Sequence, residues 1–166
     1  MGLKYENLDE ITRKYMVEEI EHSIGRHELY KYKEFTDDGW KVYPDVLIKA
    51  AKEGDDDFLS VTLYHSNCFR LDSLRESYSS FAEAEFNRIY IRGLCRRAID
   101  ENKKLQVYMA KPQEETQISG LELGQIVEPE QLLMLLRDQE VRGTSIEVIL
   151  GVQLPPNSGV SVRLVD

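Results

Sequence analysis

The sequence between Ser80 and Asn102 reads SFAEAEFNRIYIRGLCRRAIDEN, and it decides the fold class. Ser80 is followed three residues later by Glu83, which is the spacing of a capping box and predicts that a helix begins here. The apolar positions that follow form a wider stripe than a surface helix needs. They are Phe81, Ala84, Phe86, Ile89, Tyr90, Ile91, Leu94, Cys95, Ala98 and Ile99. We therefore expect one helix over 80–102 that the rest of the fold covers on more than one side.

The hydrophobic pattern changes after this helix from a helical period to an alternating one. Residues 105–109 alternate between the two faces of an extended chain, as do residues 160–164, so both segments are predicted strands. Residues 121–127 are a further candidate strand, after a polar loop over 112–120. Pro129 suits the first turn of a helix, and a run of leucines follows it.

Three helices are predicted before residue 66. Asp9 is a suitable N-cap for the first of them, and Gly25 a suitable stop. Pro44 fits the first turn of the second helix. Asp55 is placed to cap the third helix.

The segments between these helices carry weaker patterns. Residues 29–33 are a candidate short strand, and residues 37–39 read as a turn. Residues 64–79 mix Ser, Asn, Arg and Asp without periodicity and are the best candidate linker.

Together these elements predict an α+β fold with a helical N-terminal third. A central buried helix would then pack on a small, mainly antiparallel sheet. We expect a helical region over 1–66 and an α+β region over 67–166, built around helix 80–102. With 166 residues in total, the two regions should form one continuous globular unit.

The charge balance limits the classes of partner. The chain has 21 basic and 30 acidic residues, a formal charge of -9, and it repels phosphate backbones and anionic lipid heads at long range. Two cysteines, Cys68 and Cys95, are too few for a disulfide framework, so we expect reduced thiols. No apolar signal region or membrane-length run is present in the sequence, and we expect a cytoplasmic protein, or one inside a particle assembled there.

A row of arginines is the most suggestive local feature. The candidate residues for binding an anion or a partner are Arg88, Arg92, Arg96 and Arg97. The first three are spaced by four and therefore share one side of the helix. Guanidinium groups match phosphate and carboxylate oxygens, so the row could contact phosphate, nucleic acid or an acidic protein surface. The alternative is internal pairing, because Glu85 lies three residues before Arg88 and Asp100 lies four after Arg96.

Motifs that carry chemistry are otherwise absent from the sequence. His22, His27 and His65 lack the spacing of zinc ligands, and neither a nucleophile elbow nor a phosphate-binding glycine loop occurs. We therefore predict no catalytic residue, no metal ligand and no cofactor.

Residues 82–99, AEAEFNRIYIRGLCRRAI, resemble the signature of an uncharacterised family of small proteins from bacteria and tailed phages. Further resemblance lies in GDDDFL at 54–59, VYMAK at 107–111 and PPNSG at 155–159. The sequence departs from the family at Met109, where arginine is expected. The resemblance implies an association with mobile or phage genomes, and it transfers no activity.

These observations favour a non-enzymatic module for protein–protein interaction or assembly, such as a minor structural or capsid-associated component of a phage-like particle. A protein partner or self-association is expected, and no membrane. The first alternative is a nucleic-acid or nucleotide-phosphate binder that uses the arginine row, although the net charge does not favour it. The second is an enzyme whose site, around Arg92, Tyr90 or Glu85, carries no recognisable motif.

Overall fold

The computed structural model describes residues 2–111 and 123–166, and it has an α+β fold. The helices are α1 (Glu10–Gly25), α2 (Asp37–Glu53), α3 (Asp56–His65), α4 (Arg75–Glu101), α5 (Pro129–Gln139) and α6 (Ile146–Ile149). The strands are β1 (Lys104–Met109), β2 (Ile126–Val127) and β3 (Val160–Val165). The predicted fold class is therefore confirmed.

Side-chain caps begin two of the N-terminal helices where the sequence predicted them. Asp9 Oδ1 accepts a hydrogen bond from the Thr12 amide at 3.0 Å, and Asp55 Oδ1 accepts one from the Phe58 amide at 2.8 Å. These bonds satisfy amides that have no partner within the helix. Pro129 occupies the first turn of α5, as predicted.

The predictions around α2 are wrong. Residues 37–39 form the first turn of that helix, because Thr36 Oγ1 caps it by accepting a hydrogen bond from the Gly39 amide at 2.9 Å. Pro44 consequently lies inside α2 and not in its first turn. Residues 29–33 contain no strand.

The central helix is longer than predicted and begins differently. It starts at Arg75, so residues 64–79 are not a linker: α3 ends at His65 and α4 follows after nine residues. The capping box is wrong, since Ser80 lies inside α4 and the Glu83 carboxylate binds the Lys111 ammonium. Its predicted central position is confirmed, because most side chains from 81 to 95 are buried.

The sheet is antiparallel, with strand order β2-β1-β3. Leu105 pairs with Val127 on one side and with Leu164 on the other. The predictions for residues 105–109 and 160–164 are thereby confirmed. The predicted loop at 112–120 lies outside the described residues. So do the first two residues of the predicted strand at 121–127, and in the rest of that segment only Ile126–Val127 form a strand, β2.

One hydrophobic cluster contains side chains from both predicted regions. Several aromatic rings meet in its N-terminal half, where Phe35 packs edge-on against Phe69 and Phe81 at 5.0 and 5.3 Å between ring centres. Cys68 and Cys95 are both buried free thiols. In the described part of the chain, no helix has the length and apolar character needed to cross a membrane.

Candidate functional site

The arginine row of α4 divides into a buried half and a surface half. The side chains of Arg88 and Arg92 are 1% and 0% exposed, whereas those of Arg96 and Arg97 are 29% and 13% exposed. A buried guanidinium must find its partners inside the protein, because the cost of desolvating the charge is large.

Arg88 takes its partners from three parts of the chain. Its guanidinium donates to the Glu85 carboxylate one turn earlier on α4 and to the carbonyl of Thr144 at 2.5 Å. Glu140, just after α5, lies 3.7 Å from its Nε. Arg88 therefore holds the end of α5 and the following turn against the central helix.

Arg92 makes the equivalent link to α1. Its Nε donates to Glu19 Oε1 at 2.9 Å, and its Nη2 donates to the Glu19 carbonyl at 3.2 Å. Arg137 of α5 reaches the same carboxylate at 2.6 Å. Burial opposes ionisation of Glu19, but the bonds from Arg137 and Arg92 outweigh it and lower the pKa of this carboxyl group.

Burial favours the protonated form of one carboxyl group in this network. Glu19, Glu85 and Glu140 are buried beside the guanidinium groups of Arg88 and Arg92, and the partly exposed Arg137 adds a third cation at Glu19. Burial and the neighbouring Glu140 raise the pKa of Glu85 well above its ordinary value. The protonated form of Glu85 is therefore favoured beside Glu140, whereas Arg137 and Arg92 favour the ionised form of Glu19.

The surface half of the row is also paired within the chain. Arg96 lies 3.2 Å from Glu18 Oε1 and stacks over the Tyr15 ring, and Arg97 contacts Asp9 and Glu101 at 2.7 Å. The burial of Arg88 and Arg92 leaves them inaccessible to a phosphate group in solution. A nucleic-acid interface on this row would therefore have to use Arg96 and Arg97. Its phosphates would compete with the carboxylates that already pair with these two arginines.

A cleft of about 350 Å³ lies beside the N-terminal half of α4, and we call it the Phe81 cleft. Its floor is α4, and its walls come from the segments 30–32, 143–147 and 156–159. Its lining includes Tyr30, Tyr32, Phe81, Glu83, Glu85 and Glu147. Glu85 thus joins the cleft to the buried ion network.

One wall of the Phe81 cleft is aromatic. The Tyr32 ring stacks on Phe81 with 5.5 Å between centres and 17° between planes, and Tyr30 stacks on Phe81 at 6.2 Å and 27°. Gly143 permits this arrangement, because a Cβ atom there would lie 2.5 Å from the Tyr30 ring and because its φ is +62°. The rings therefore occupy fixed positions in the cleft.

Acidic side chains also line the Phe81 cleft. Glu83 Oε1 binds Lys111 Nζ at 3.0 Å. Glu147 accepts a hydrogen bond from the Asn157 amide at 2.9 Å, and this bond fixes the turn before β3. Burial raises the pKa of Glu147, and the nearby Glu83 adds to this effect.

A second cavity of about 170 Å³ adjoins the cleft and shares Ser80, Glu83 and Asn157 with it. Asp56, Asp57 and Lys111 line it as well. We call the two cavities together the acidic groove.

Asp56 is 4% exposed, and its Oδ2 accepts a hydrogen bond from the Leu3 amide at 3.3 Å. Its Oδ1 accepts no hydrogen bond of normal geometry from the described residues, although the Tyr5 hydroxyl lies nearby. Burial and the adjacent Asp57 carboxylate raise the pKa of Asp56 to about 6.

The raised pKa of Asp56 predicts that Asp56→Asn stabilises the protein at neutral pH. The native state holds this proton more tightly than the unfolded chain, so its stabilising contribution is complete below the ordinary pKa of 3.8 and is lost as the pH rises through about 6. The neutral amide avoids that loss and keeps an acceptor for Leu3. We expect a gain on the order of 1 kcal/mol at pH 7 and almost none at pH 4, measured by urea unfolding at both values.

The control for this substitution is Asp45→Asn, which removes an exposed carboxylate from α2. It should change stability little, and to the same extent at both pH values. A loss of stability in Asp56→Asn at pH 7 would contradict the account of this carboxyl group.

Metal chemistry has no visible basis in the described ranges. Within residues 2–111 and 123–166, no group of three or more His, Cys, Asp or Glu side chains is arranged to hold a metal ion.

Comparison of the chain with models of known families, with curated proteins and with solved structures finds no match. These comparisons therefore give no indication of what the site binds.

The sequence interpretation missed most of this site. The sequence predicts Tyr30 and Tyr32 in a strand and Glu83 in a helix cap, and it indicates no role for Glu147. The available signals were the tyrosines in the segment after α1 and the turn residues at 143 and 155–159, since loops carry binding residues more often than regular elements do.

Proposed function

We propose that this protein is a non-enzymatic protein–protein interaction module and that it binds its partner at the Phe81 cleft. The observation that carries the proposal is a concave site lined by aromatic and acidic side chains and held by a buried ion network. Clefts in which a few polar groups converge among aromatic side chains are typical of binding sites. Tyrosine and phenylalanine also supply much of the contact energy where proteins bind each other.

The fixed walls of the cleft favour a binding site over an enzyme whose active site opens and closes. Arg88 ties α4 to the turn that carries Thr144, and Glu147 ties that turn to Asn157. The walls are therefore ordered before a partner arrives, which lowers the entropy lost on binding.

Selection of short random peptides by display, with the purified protein as the target, tests this proposal. Ala84 is half-buried on the floor of the cleft, so Ala84→Trp fills the space without changing charge. We expect the selected peptides to lose at least about tenfold in affinity for this variant, equivalent to about 1.4 kcal/mol.

The matched control is Glu76→Trp, which adds the same side chain to an exposed position of the same helix. Peptide affinity should be unchanged in the control, and both variants should unfold at similar temperatures. Peptides that bind the wild type and Ala84→Trp equally well would remove the cleft from the proposal.

We further propose a role in assembly, for which the support is the resemblance of residues 82–99 to small proteins of bacteria and tailed phages. Such a role requires the protein to be part of a larger complex. Native mass measurement of the protein from its source should then show a particle or a complex of several chains. A free monomer under those conditions would count against assembly and leave peptide binding untouched.

An enzyme remains a second candidate because of one observation, the raised pKa of two carboxyl groups in the cleft, those of Glu85 and Glu147. Perturbed carboxyl groups are frequent at catalytic sites. Of the other two residues named for this alternative, Arg92 is buried against Glu19, and Tyr90 accepts a hydrogen bond from the Asn7 amide through its hydroxyl oxygen. Neither of them lines the Phe81 cleft.

A further inference from the structure

We infer that the acidic groove binds a lysine or arginine side chain of the partner, with the cationic head among the carboxylates and the methylene groups against the aromatic wall. This inference rests on the proposed interaction function and names the chemistry of the ligand. It follows from three observations: the charge of the groove, the position of Lys111 and the orientation of the rings.

The groove has an excess of negative charge. Five carboxyl groups line its two cavities, and they are Asp56, Asp57, Glu83, Glu85 and Glu147. Two cationic groups, Arg88 and Lys111, line it as well, so the excess is three, or two when Glu85 holds the proton described above. Arg88 is already bound to Glu85 and Glu140. A cation entering the groove is therefore attracted, and an anion is repelled.

Lys111 shows that this part of the groove accepts a primary ammonium group. Its Nζ lies 3.0 Å from Glu83 Oε1, while its side chain remains 38% exposed. Glu83 is 10% exposed and faces both cavities. The backbone of Lys111 is fixed against Gly159, where a Cβ would lie 3.2 Å from the Lys111 amide nitrogen. Lys111 thus occupies the position that a partner's cation would take, and it competes for the same carboxylate.

The aromatic wall suits the rest of a long basic side chain. Phe81 forms one stack with Tyr30 and Tyr32, all three of which line the cleft. Aromatic faces attract ammonium and guanidinium groups and also cover their methylene stems. An aspartate or glutamate side chain would meet net repulsion in the same position, because the carboxyl groups outnumber the cations of the groove.

The decisive experiment uses two substitutions with opposite expected effects. Glu83→Gln removes the carboxylate that receives the cation, and affinity for the selected peptides should fall about tenfold. Lys111→Met removes the competing ammonium, and affinity for the same peptides should rise severalfold. A fold that is merely damaged cannot bind more tightly, so the second variant protects the test against misfolding.

Two controls remove the effect of overall charge. Lys103→Met changes the net charge as Lys111→Met does, at a lysine that pairs with Glu101. Glu128→Gln matches Glu83→Gln at an exposed carboxylate that pairs with Lys104. Both should leave peptide affinity within about twofold of wild type, because charges beyond a Debye length of about 8 Å are screened at physiological salt. Fluorescence anisotropy with labelled peptides measures all four variants.

The possible results separate this inference from the proposal on which it rests. Enrichment of lysine or arginine in peptides that Ala84→Trp no longer binds supports both. Peptides that depend on the cleft but carry no basic residue, or that bind Lys111→Met no more tightly than Lys103→Met, overturn the cation inference and leave the interaction function standing. Binding that Ala84→Trp does not weaken overturns both.

Discussion

Replacing Arg92 by methionine should lower the free energy of unfolding by about 3–5 kcal/mol, the usual cost of breaking a buried ion pair from one side. In a chain of this length that loss corresponds to a fall of about 6–20 °C in melting temperature. Methionine fills a similar length with apolar atoms, so the effect measures the missing charge and hydrogen bonds and not a cavity. Thermal and urea unfolding followed by circular dichroism measure it.

The size of this effect follows from the buried carboxylates that lose a cationic partner when Arg92 is replaced. Glu19 would lose its bond to Arg92 Nε, and Glu140 would lose a guanidinium 3.6 Å away. Arg88 would be the one guanidinium left among the fully buried side chains of the network. Three buried carboxyl groups would then share one fully buried cation and the partly exposed Arg137, which favours uptake of a further proton or entry of water.

Arg96→Met is the matched control, four residues further along the same helix. Arg96 is partly exposed, and its nearest partner, Glu18 at 3.2 Å, is half-exposed. Exposed ion pairs contribute about 0–1 kcal/mol, so this variant should unfold close to the wild type. Equal losses in the two variants would show that the buried network does not stabilise the fold as described.

The sequence was sufficient for the elements whose signals are local. The caps at Asp9 and Asp55, the proline at position 129 and the alternating strands were all predicted correctly, because each depends on neighbours within a few residues. The capping box at Ser80 failed for an instructive reason. The same serine-to-glutamate spacing also occurs in the interior of helices, where it caps nothing. Here the Glu83 carboxylate binds Lys111 instead.

The fate of the arginine row could be predicted only in part. Spacing correctly paired Arg88 with Glu85, one turn earlier on the same helix. It could not find Glu19, which lies 73 residues from Arg92, or Glu140, which lies beyond α5. These partners come from α1 and α5, and they meet the row only when both helices pack against α4. The side of α4 that the sequence suggests for binding an external anion therefore faces the interior of the protein at Arg88 and Arg92.

The Phe81 cleft was not predictable for the same reason. Its floor comes from the central helix, but its aromatic wall comes from the connection between α1 and α2, and Glu147 comes from the short helix α6. No repeat or spacing links these segments in the sequence. The ion network brings them together, since Arg88 donates to the Thr144 carbonyl close to Glu147 in the chain.

The close approach of α1 to α4 depends on Gly93. A Cβ at this position would lie 2.7 Å from Met16 Cγ and 2.9 Å from the Met16 backbone nitrogen. We expect Gly93→Ala to destabilise the protein by about 2–3 kcal/mol, because overpacking against backbone forces α1 outward and outweighs the gain in helix propensity of about 1 kcal/mol. The displacement would also stretch the bond from Arg92 to Glu19, since both residues neighbour this contact along the two helices.

Gly25→Ala tests the same substitution where space is free. Gly25 lies at the end of α1, and no described atom beyond its own helix and its chain neighbours comes within 4 Å of a Cβ added there. Alanine should therefore raise stability slightly, by about 0.5–1 kcal/mol, through helix propensity alone. Urea unfolding of the two variants should give shifts of opposite sign. If Gly93→Ala were as stable as Gly25→Ala, the tight contact between α1 and α4 would be wrong, and with it the geometry that buries the arginine row.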